Sequence, residues 1–300
     1  MSNTEFCNLL SKNGIKYECG YSLKESSSFR IGGRCALAVF PENAETFALL
    51  LQLADSCDAR LHVSGRASNT LFRDGELDLC VVFTAGVNQV TVVGTTVVAG
   101  AGTGLISLCN GVARRGLGGL EFASGIPGSV GGAVVMNAGA YGGCMADVIT
   151  LTRAYDRRSS SVMTLAEHGF GYRESIYKSD PSLICLEAKL SLVEDNAETI
   201  KERMRSLLES RRVKQPLEYP SAGSAFKRPE GHFAGKLIED CGLKGYTFGN
   251  AAVSEKHAGF IINLGGATSA DVHGVIDHVT ETVRNAFGVT LEPELRFLQE

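Results

Sequence analysis

Apolar residues along the 300-residue chain follow two rhythms, one helical and one strand-like. Between Asn43 and Ala59, Phe47, Leu50, Leu51 and Ala54 stand at i, i+3, i+4 and i+7, which predicts a helix with one buried stripe. ALAVFP before it and RLHVSG after it read as short strands, so the N-terminal part is predicted as a β-α-β unit. LCVVF, NQVTVVG and TVVAGAG continue as strands, the last two joined at Gly94-Thr95-Thr96, and Gly104 to Arg115 reads as a short helix stopped by Gly116. Strands return at ITLTRAYD, SVMTLA and LICLEAKLSLV. From Asp195 the texture changes. Asp195 or Asn196 is placed to cap a charged helix carrying Ile200, Met204, Leu207 and Leu208 on one face. Ser269 opens a longer amphipathic helix with Val272, Val275, Ile276, Val279, Val283 and Phe287, ended by Gly288. Between them lie Phe233, Leu237 and Ile238, then strands in YTFGNAAVS and GFIINLG, and LEPELRFL is expected to return to the first domain.

Charge sharpens this division. The window 79–146 carries only Arg114, Arg115 and Glu121 as charged residues, yet holds 16 of the 35 glycines. Such a segment is either core throughout or wrapped round something large and buried. Its uncharged run from Leu79 to Ala113 is too rich in glycine, serine and threonine for a lipid-facing helix. A net charge of −4 lacks the footprint of a general nucleic-acid binder. The nine cysteines include no CxxC pair, which argues against a zinc ribbon, and reduced thiols in a cytoplasmic protein are the simplest reading. The N-terminus lacks the basic and apolar regions of a secretory signal, and no metal site is expected.

Most familiar chemical motifs are missing: no GxGxxG after a strand, no GxxxxGK followed by Ser or Thr, no HExxH and no GxSxG. Two glycine-rich loops remain. In VSGRASNTLFRDG, 63–75, successive backbone N–H groups and small hydroxyls suit a phosphate without any lysine, though an ordinary strand-to-loop turn fits equally well. SGIPGSVGGAVVMNAGAYGG, 124–143, is long and uncharged, which favours ligand contact over a plain connector.

Six segments occur in one order: SFRIGG at 28–33, SGRASNTLF at 64–72, SGIPGSVGGAVVMNAGAYG at 124–142, GYRES at 171–175, SAGSAFKRP at 221–229 and LEPELRF at 291–297. Together they resemble the UDP-N-acetylenolpyruvoylglucosamine reductase family, also called UDP-N-acetylmuramate dehydrogenases. The resemblance implies an α+β chain with an FAD-binding domain of the vanillyl-alcohol-oxidase (PCMH) type in two subdomains, 1–84 and 85–194, and a smaller α+β substrate domain, 195–289. Residues 290–300 would rejoin the first subdomain. It further implies non-covalent FAD, NADPH as hydride donor, and reduction of an enolpyruvyl ether of a UDP-sugar in peptidoglycan precursor synthesis. SGRASN contains neither the histidine nor the cysteine that tethers flavin in many proteins of that superfamily. A cytoplasmic monomer without nucleic-acid or membrane partners is expected.

Carried over motif by motif, the resemblance implies Gly65, Arg66, Ser68, Asn69 and Thr70, with Gly125, Pro127, Gly128, Ser129, Gly132 and Asn137, as FAD-binding residues. It implies Arg173, Ser224 and Glu294 as the catalytic set, with Ser224 the proton donor, and Lys227 and Arg228 as substrate-binding. The set makes chemical sense. Hydride addition to an enol ether conjugated with a carboxylate builds charge on that carboxylate, which a fixed cation and hydrogen-bond donors stabilise. The neighbouring carbon then needs a proton. Taken without the motif, Ser224 is a loop serine, Arg173 a solvated arginine and Glu294 half of a Glu–Arg pair on a polar strand face. Three departures stand out. Ala67 occupies a position where family loops often have glycine, Ala225 replaces a bulkier apolar residue, and Arg228 stands where a longer branch has asparagine. The chain resembles the shorter branch, which lacks a tyrosine-bearing insertion over the substrate. Two rivals stay open: another FAD-dependent oxidoreductase of the same fold, and a nucleotide-binding module without catalysis.

Overall fold

The computed structural model describes residues 3–298. The chain divides into two compact units. The first takes the residues up to Cys19, Leu37–Arg66 and Leu79–Glu209; the second takes Gly20–Ala36, Ala67–Asp78 and the residues from Ser210 onward.

In the first unit, the predicted β-α-β unit is present as Arg34–Phe40, Ala44–Ser56 and Leu61–Ser64, but it is split. Glu76–Phe83 lies between its two strands, in the sheet order Lys16–Ser22, Arg34–Phe40, Glu76–Phe83, Leu61–Ser64. Leu61–Ser64 pairs with Glu76–Phe83 in parallel, from Leu61 opposite Cys80 to Ser64 opposite Phe83. The helix begins where Asn43 Oδ1 accepts a hydrogen bond from the Thr46 N–H at 2.8 Å. Its stripe of Phe47, Leu50, Leu51 and Ala54 packs on Leu37, Val39 and Val82, joined by Phe6 and Leu10 of an N-terminal helix, Asn3–Lys12. Asp55 on the same helix accepts from Tyr155 Oη at 2.8 Å and pairs with Arg157 at 2.6 Å. Burial, then the facing Asp55 carboxylate, pushes the Tyr155 phenol up to about 12.

The second sheet of this unit is antiparallel, in the order Ser161–Leu165, Ile149–Asp156, Leu183–Ser191, Thr96–Gly100, Val90–Val93. Leu105–Ala113 and Val130–Val135 cover its apolar side, where Val97, Ala99, Ala188 and Leu190 meet Leu108, Val112 and Val134. Asn196 Oδ1 caps the helix Ala197–Lys214 by accepting from Glu198 and Thr199 N–H. Ile200 and Met204 are buried there, while Leu208 stays exposed, so the apolar stripe is narrower than its spacing suggests. The neutral run from Leu79 to Ala113 is therefore sheet and helix, and among the described residues no helix is long and apolar enough to cross a membrane.

The second unit is built on an antiparallel sheet ordered Ser221–Ser224, Phe260–Asn263, Ala251–Val253, Thr247–Phe248. Helix Ser269–Phe287 lays Val272, Val275, Ile276, Val279 and Val283 on it, beside Leu237 and Ile238 of Ala234–Asp240. The cap of the long helix is Thr268 rather than Ser269: Thr268 Oγ1 accepts from the Asp271 N–H and the Asp271 carboxylate accepts from the Thr268 N–H. Phe29, Ile31 and Leu71 join this core from the two N-terminal stretches. The strand Arg296–Leu298 runs parallel to Thr70–Phe72, with Arg296 opposite Thr70.

Candidate active site

In the first unit, two segments are laced together by backbone hydrogen bonds. Leu105 N–H donates to Gly128 O at 3.0 Å, Val130 N–H to Thr103 O at 2.8 Å and Gly131 N–H to Ala101 O at 2.8 Å. A Cβ on Gly131 would lie 2.8 Å from the Ala101 Cβ, so glycine is what lets these segments approach. Gly125 and Pro127 lead into this lacing. The following residues, expected to be open loop, form the short helix Val130–Val135, capped by Ser129 Oγ accepting from the Gly132 N–H at 3.3 Å. Gly65 packs on that same hydroxyl, which a Cβ would meet at 2.1 Å.

Two observations fit this region to a polar ligand. The N–H groups of Gly65, Arg66, Ala67, Ser68 and Asn69 donate to no group among the described residues, and Ala67 is left-handed at φ 44°, the kind of kink that gathers successive amides into a concave nest. The hydroxyls of Ser64, Thr103 and Ser124 are buried with no hydrogen-bond partner. A buried polar atom left so costs about 1–3 kcal/mol, which a bound partner would relieve. A run of successive amides suits a diphosphate, and buried unpartnered hydroxyls suit the polar edge of a flavin. Ser64 and Ser124 open the two glycine-rich motifs, so their positions were visible in sequence; Thr103 lies outside both.

The Arg173 turn belongs to the same unit. Gly171 and Glu174 exchange backbone hydrogen bonds at 3.1 and 3.2 Å, leaving Tyr172 and Arg173 at the tip, with the guanidinium 5.2 Å from the Tyr172 ring centre. Arg173 is left-handed at φ 57°, which costs an L-residue roughly 1–2 kcal/mol. Asn137, also left-handed, donates to Gly171 O at 2.9 Å and accepts from the Ala146 N–H at 2.9 Å, so both ends of its amide are engaged within the protein. Ser175 Oγ donates to Val135 O at 2.7 Å. Below the turn, Thr152 Oγ1 meets Tyr177 Oη at 2.5 Å and His168 Nε2 at 3.0 Å. Burial pushes His168 down and, with Cys185 nearby, Tyr177 up, so both stay neutral.

Ser224, Glu294, Lys227 and Arg228 belong to the second unit. Gly223, at φ 80°, falls where the pairing of Ser221–Ser224 with Phe260–Asn263 shifts register, a bulge that sets where Ser224 points. The serine and glutamate motifs then run side by side: Glu294 N–H donates to Ala225 O at 2.8 Å, Phe226 bridges to Pro293, and Lys227 N–H donates to Glu292 O at 2.8 Å. Asn69 Nδ2 donates to Glu294 O at 3.1 Å, and Thr70 is buried in its strand opposite Arg296. Lys227 Nζ reaches Glu292 at 2.9 Å, and the Arg228 guanidinium lies 4.0 Å from the ring centre of exposed Phe233. Behind Ser224, a Cβ on Gly259 would lie 3.6 Å from the serine hydroxyl and 3.0 Å from the His257 ring. Burial pushes His257 down, and its Nδ1 accepts from the Gly259 N–H at 3.1 Å.

Residues 215–298 match the model of the UDP-N-acetylenolpyruvoylglucosamine reductase C-terminal domain, and residues 35–164 match an FAD binding domain. The UDP-N-acetylenolpyruvoylglucosamine reductase of Clostridium perfringens is 44% identical over 92% of this chain and 91% of its own; that of Pediococcus pentosaceus is 45% identical over 93% of each. The chain belongs to this reductase family. It is accordingly an FAD-dependent oxidoreductase, and the rival of a non-catalytic module falls. The solved reductase of Thermus caldophilus superposes with a TM-score of 0.80 at 34% identity, covering 94% of this chain and 98% of that one. A berberine bridge enzyme variant, at TM-score 0.51 and 13% identity, shares the fold alone. The α+β fold of the vanillyl-alcohol-oxidase type expected from the motifs is the fold observed.

Proposed function

We propose that Arg173, Ser224 and Glu294 carry out the substrate half of the family reaction, reduction of UDP-N-acetyl-3-O-(1-carboxyvinyl)-glucosamine to UDP-N-acetylmuramate at the expense of NADPH, in the cytoplasm. Once reduced by NADPH, a bound flavin would supply the hydride that the methylene carbon of the enolpyruvyl group takes up. Gly65, Arg66, Ser68, Asn69 and Thr70, with Gly125, Pro127, Gly128, Ser129, Gly132 and Asn137, form the two segments that would hold it. In these, the backbone amides would hold the diphosphate, while Ser129 and Asn137 keep the second segment in shape. The Arg173 guanidinium binds the substrate carboxylate, where negative charge grows as the double bond is lost, and Glu294, as the acid, donates a hydrogen bond. Ser224 gives its hydroxyl proton to the carbon that bears the carboxylate and the ether oxygen, and is re-protonated from solvent. Lys227 and Arg228 are cations suited to the nucleotide diphosphate.

The observation that carries this reading is the pairing of the serine and glutamate motifs through Glu294 N–H and Ala225 O at 2.8 Å, in a chain of this family. Ser224→Ala removes one hydroxyl and little volume. Loss of a positioned acid costs about 10²–10⁴ in rate. The expected result is a near-normal loss of flavin absorbance on adding NADPH, and a recovery at least about a hundredfold slower on adding the enolpyruvyl substrate. Recovery at the wild-type rate would remove Ser224 from the reaction.

A further inference from the structure

The Arg173 turn raises a question that its strain makes specific. Left-handed backbone is tolerated by asparagine and aspartate because their short side chains bond locally, and arginine has no such means. A conformation of this kind persists only where its surroundings over-determine it. The base of the turn is well secured by Asn137, by Ser175 and by the Ile176 N–H donating to His168 O at 2.7 Å. None of these reaches the tip.

Lys178 does. It lies on the single helical turn Ile176–Ser179, and its Nζ donates to the Arg173 carbonyl at 2.7 Å and to Glu174 Oε1 at 2.6 Å. Its side chain is only 25% exposed, so most of the stem is covered. Turning Arg173 to the ordinary right-handed conformation would swing its carbonyl away from the ammonium and break that bond. The contact therefore favours the left-handed state. We propose that Lys178 is a positioning residue for Arg173: by fixing the Arg173 carbonyl it fixes the direction in which the guanidinium leaves the backbone. This rests on the role given to Arg173 above. The plain alternative is an i,i+4 pair between Lys178 and Glu174 that merely steadies a helical turn.

The two readings separate under substitution. Lys178→Met removes both bonds, whereas Glu174→Gln removes the ion pair and keeps the bond to the carbonyl. With positioning, kcat for the enolpyruvyl substrate falls by roughly 10–100-fold in Lys178→Met, the size expected for one charge-assisted hydrogen bond. KM changes less, the NADPH-dependent loss of flavin absorbance keeps its rate, and Glu174→Gln stays within about twofold of wild type, as an exposed pair should. Lys178→Arg, which restores a cationic donor, recovers most of the loss. In an Arg173→Lys background, Lys178→Met adds little further loss, because both changes disable one device. Should Lys178→Met purify without flavin, Lys178→Gln, with a shorter stem and a neutral donor, is measured in the same way. Wild-type kcat in Lys178→Met or Lys178→Gln, equal losses in Lys178→Met and Glu174→Gln, or losses that multiply in the Arg173→Lys background would each overturn the positioning role. Wild-type protein that fails to reduce the enolpyruvyl ether would instead overturn the function itself, and this inference with it.

Discussion

Arg173 stands at the tip of a strained two-residue turn tied down by side chains, whereas Ser224 and Glu294 stand on neighbouring stretches tied by backbone hydrogen bonds. The first arrangement spends buried polar groups: the Asn137 amide, the Ser175 hydroxyl and the Thr152–His168–Tyr177 network. The second spends almost none, because strand pairing satisfies its own donors and acceptors. The contrast predicts different fragility. A turn held by side chains should fail when single polar groups outside the motif change; a paired strand should fail mainly when its own residues change.

The largest expected effect bears on the flavin loops that adjoin the Arg173 turn. Gly131→Val places two methyls against Ala101 at the point where the segments are laced, so the purified protein should be colourless while its far-ultraviolet circular dichroism keeps the native shape. Full flavin content in that variant would mean that the lacing does not shape the cofactor site. Next comes Arg173→Lys, which keeps the charge and loses the planar fork. Slower recovery of flavin absorbance with substrate, by about 10–100-fold, is expected, with little change on adding NADPH. Equal losses in both measurements would assign Arg173 to folding.

Acidification compares the two regions through their histidines. Burial holds His168 in one unit and His257 in the other below the usual value of about 6.5. The unfolded chain then binds the extra protons. Their stabilising contribution is complete above about pH 6.5 and declines as pH falls below it, by at most about 1.4 kcal/mol per pH unit for each histidine. Melting temperatures should drop between about pH 6.5 and 5.5, and His168→Asn and His257→Asn should each flatten part of that slope. An unchanged slope in both would place the acid sensitivity elsewhere. The smallest effect is expected for Ala67→Gly. Relief of left-handed strain at φ 44° is offset by a lost buried methyl and a more flexible unfolded chain. The melting temperature should move by no more than about 2–4 °C, and a larger gain would show that the alanine strains the amide nest.

Much of this was legible in the sequence, and the limits are physical. The helices Ala44–Ser56 and Ser269–Phe287 were plain because a full apolar stripe lies between local caps. The helix Asn3–Lys12 has no such signature, because a stretch this short offers few apolar positions. Val130–Val135 hid inside a glycine-rich motif, since Gly131 and Gly132 are poor helix formers and only packing against 101–105 makes them helical. The split of the β-α-β unit by Glu76–Phe83 is a non-local pairing that periodicity does not report. The motifs pointed to Arg173, yet Thr152, His168, Tyr177 and Lys178 carry no pattern of their own. Side-chain clamps are set by geometry, and nothing in their spacing announces them.

The parallel pairing of Arg296–Leu298 with Thr70–Phe72 has a consequence for how the chain is made. Asn69 and Glu294, whose bond closes the same junction, are 225 residues apart. At about 5–20 residues per second, Thr70–Phe72 waits roughly 10–45 s for its partner strand after leaving the ribosome. During that interval Leu71 and Phe72, both fully buried at the end, have one strand edge open. The second unit therefore closes only after residues 296–298 have emerged, and until then this early strand is an edge open to wrong pairing.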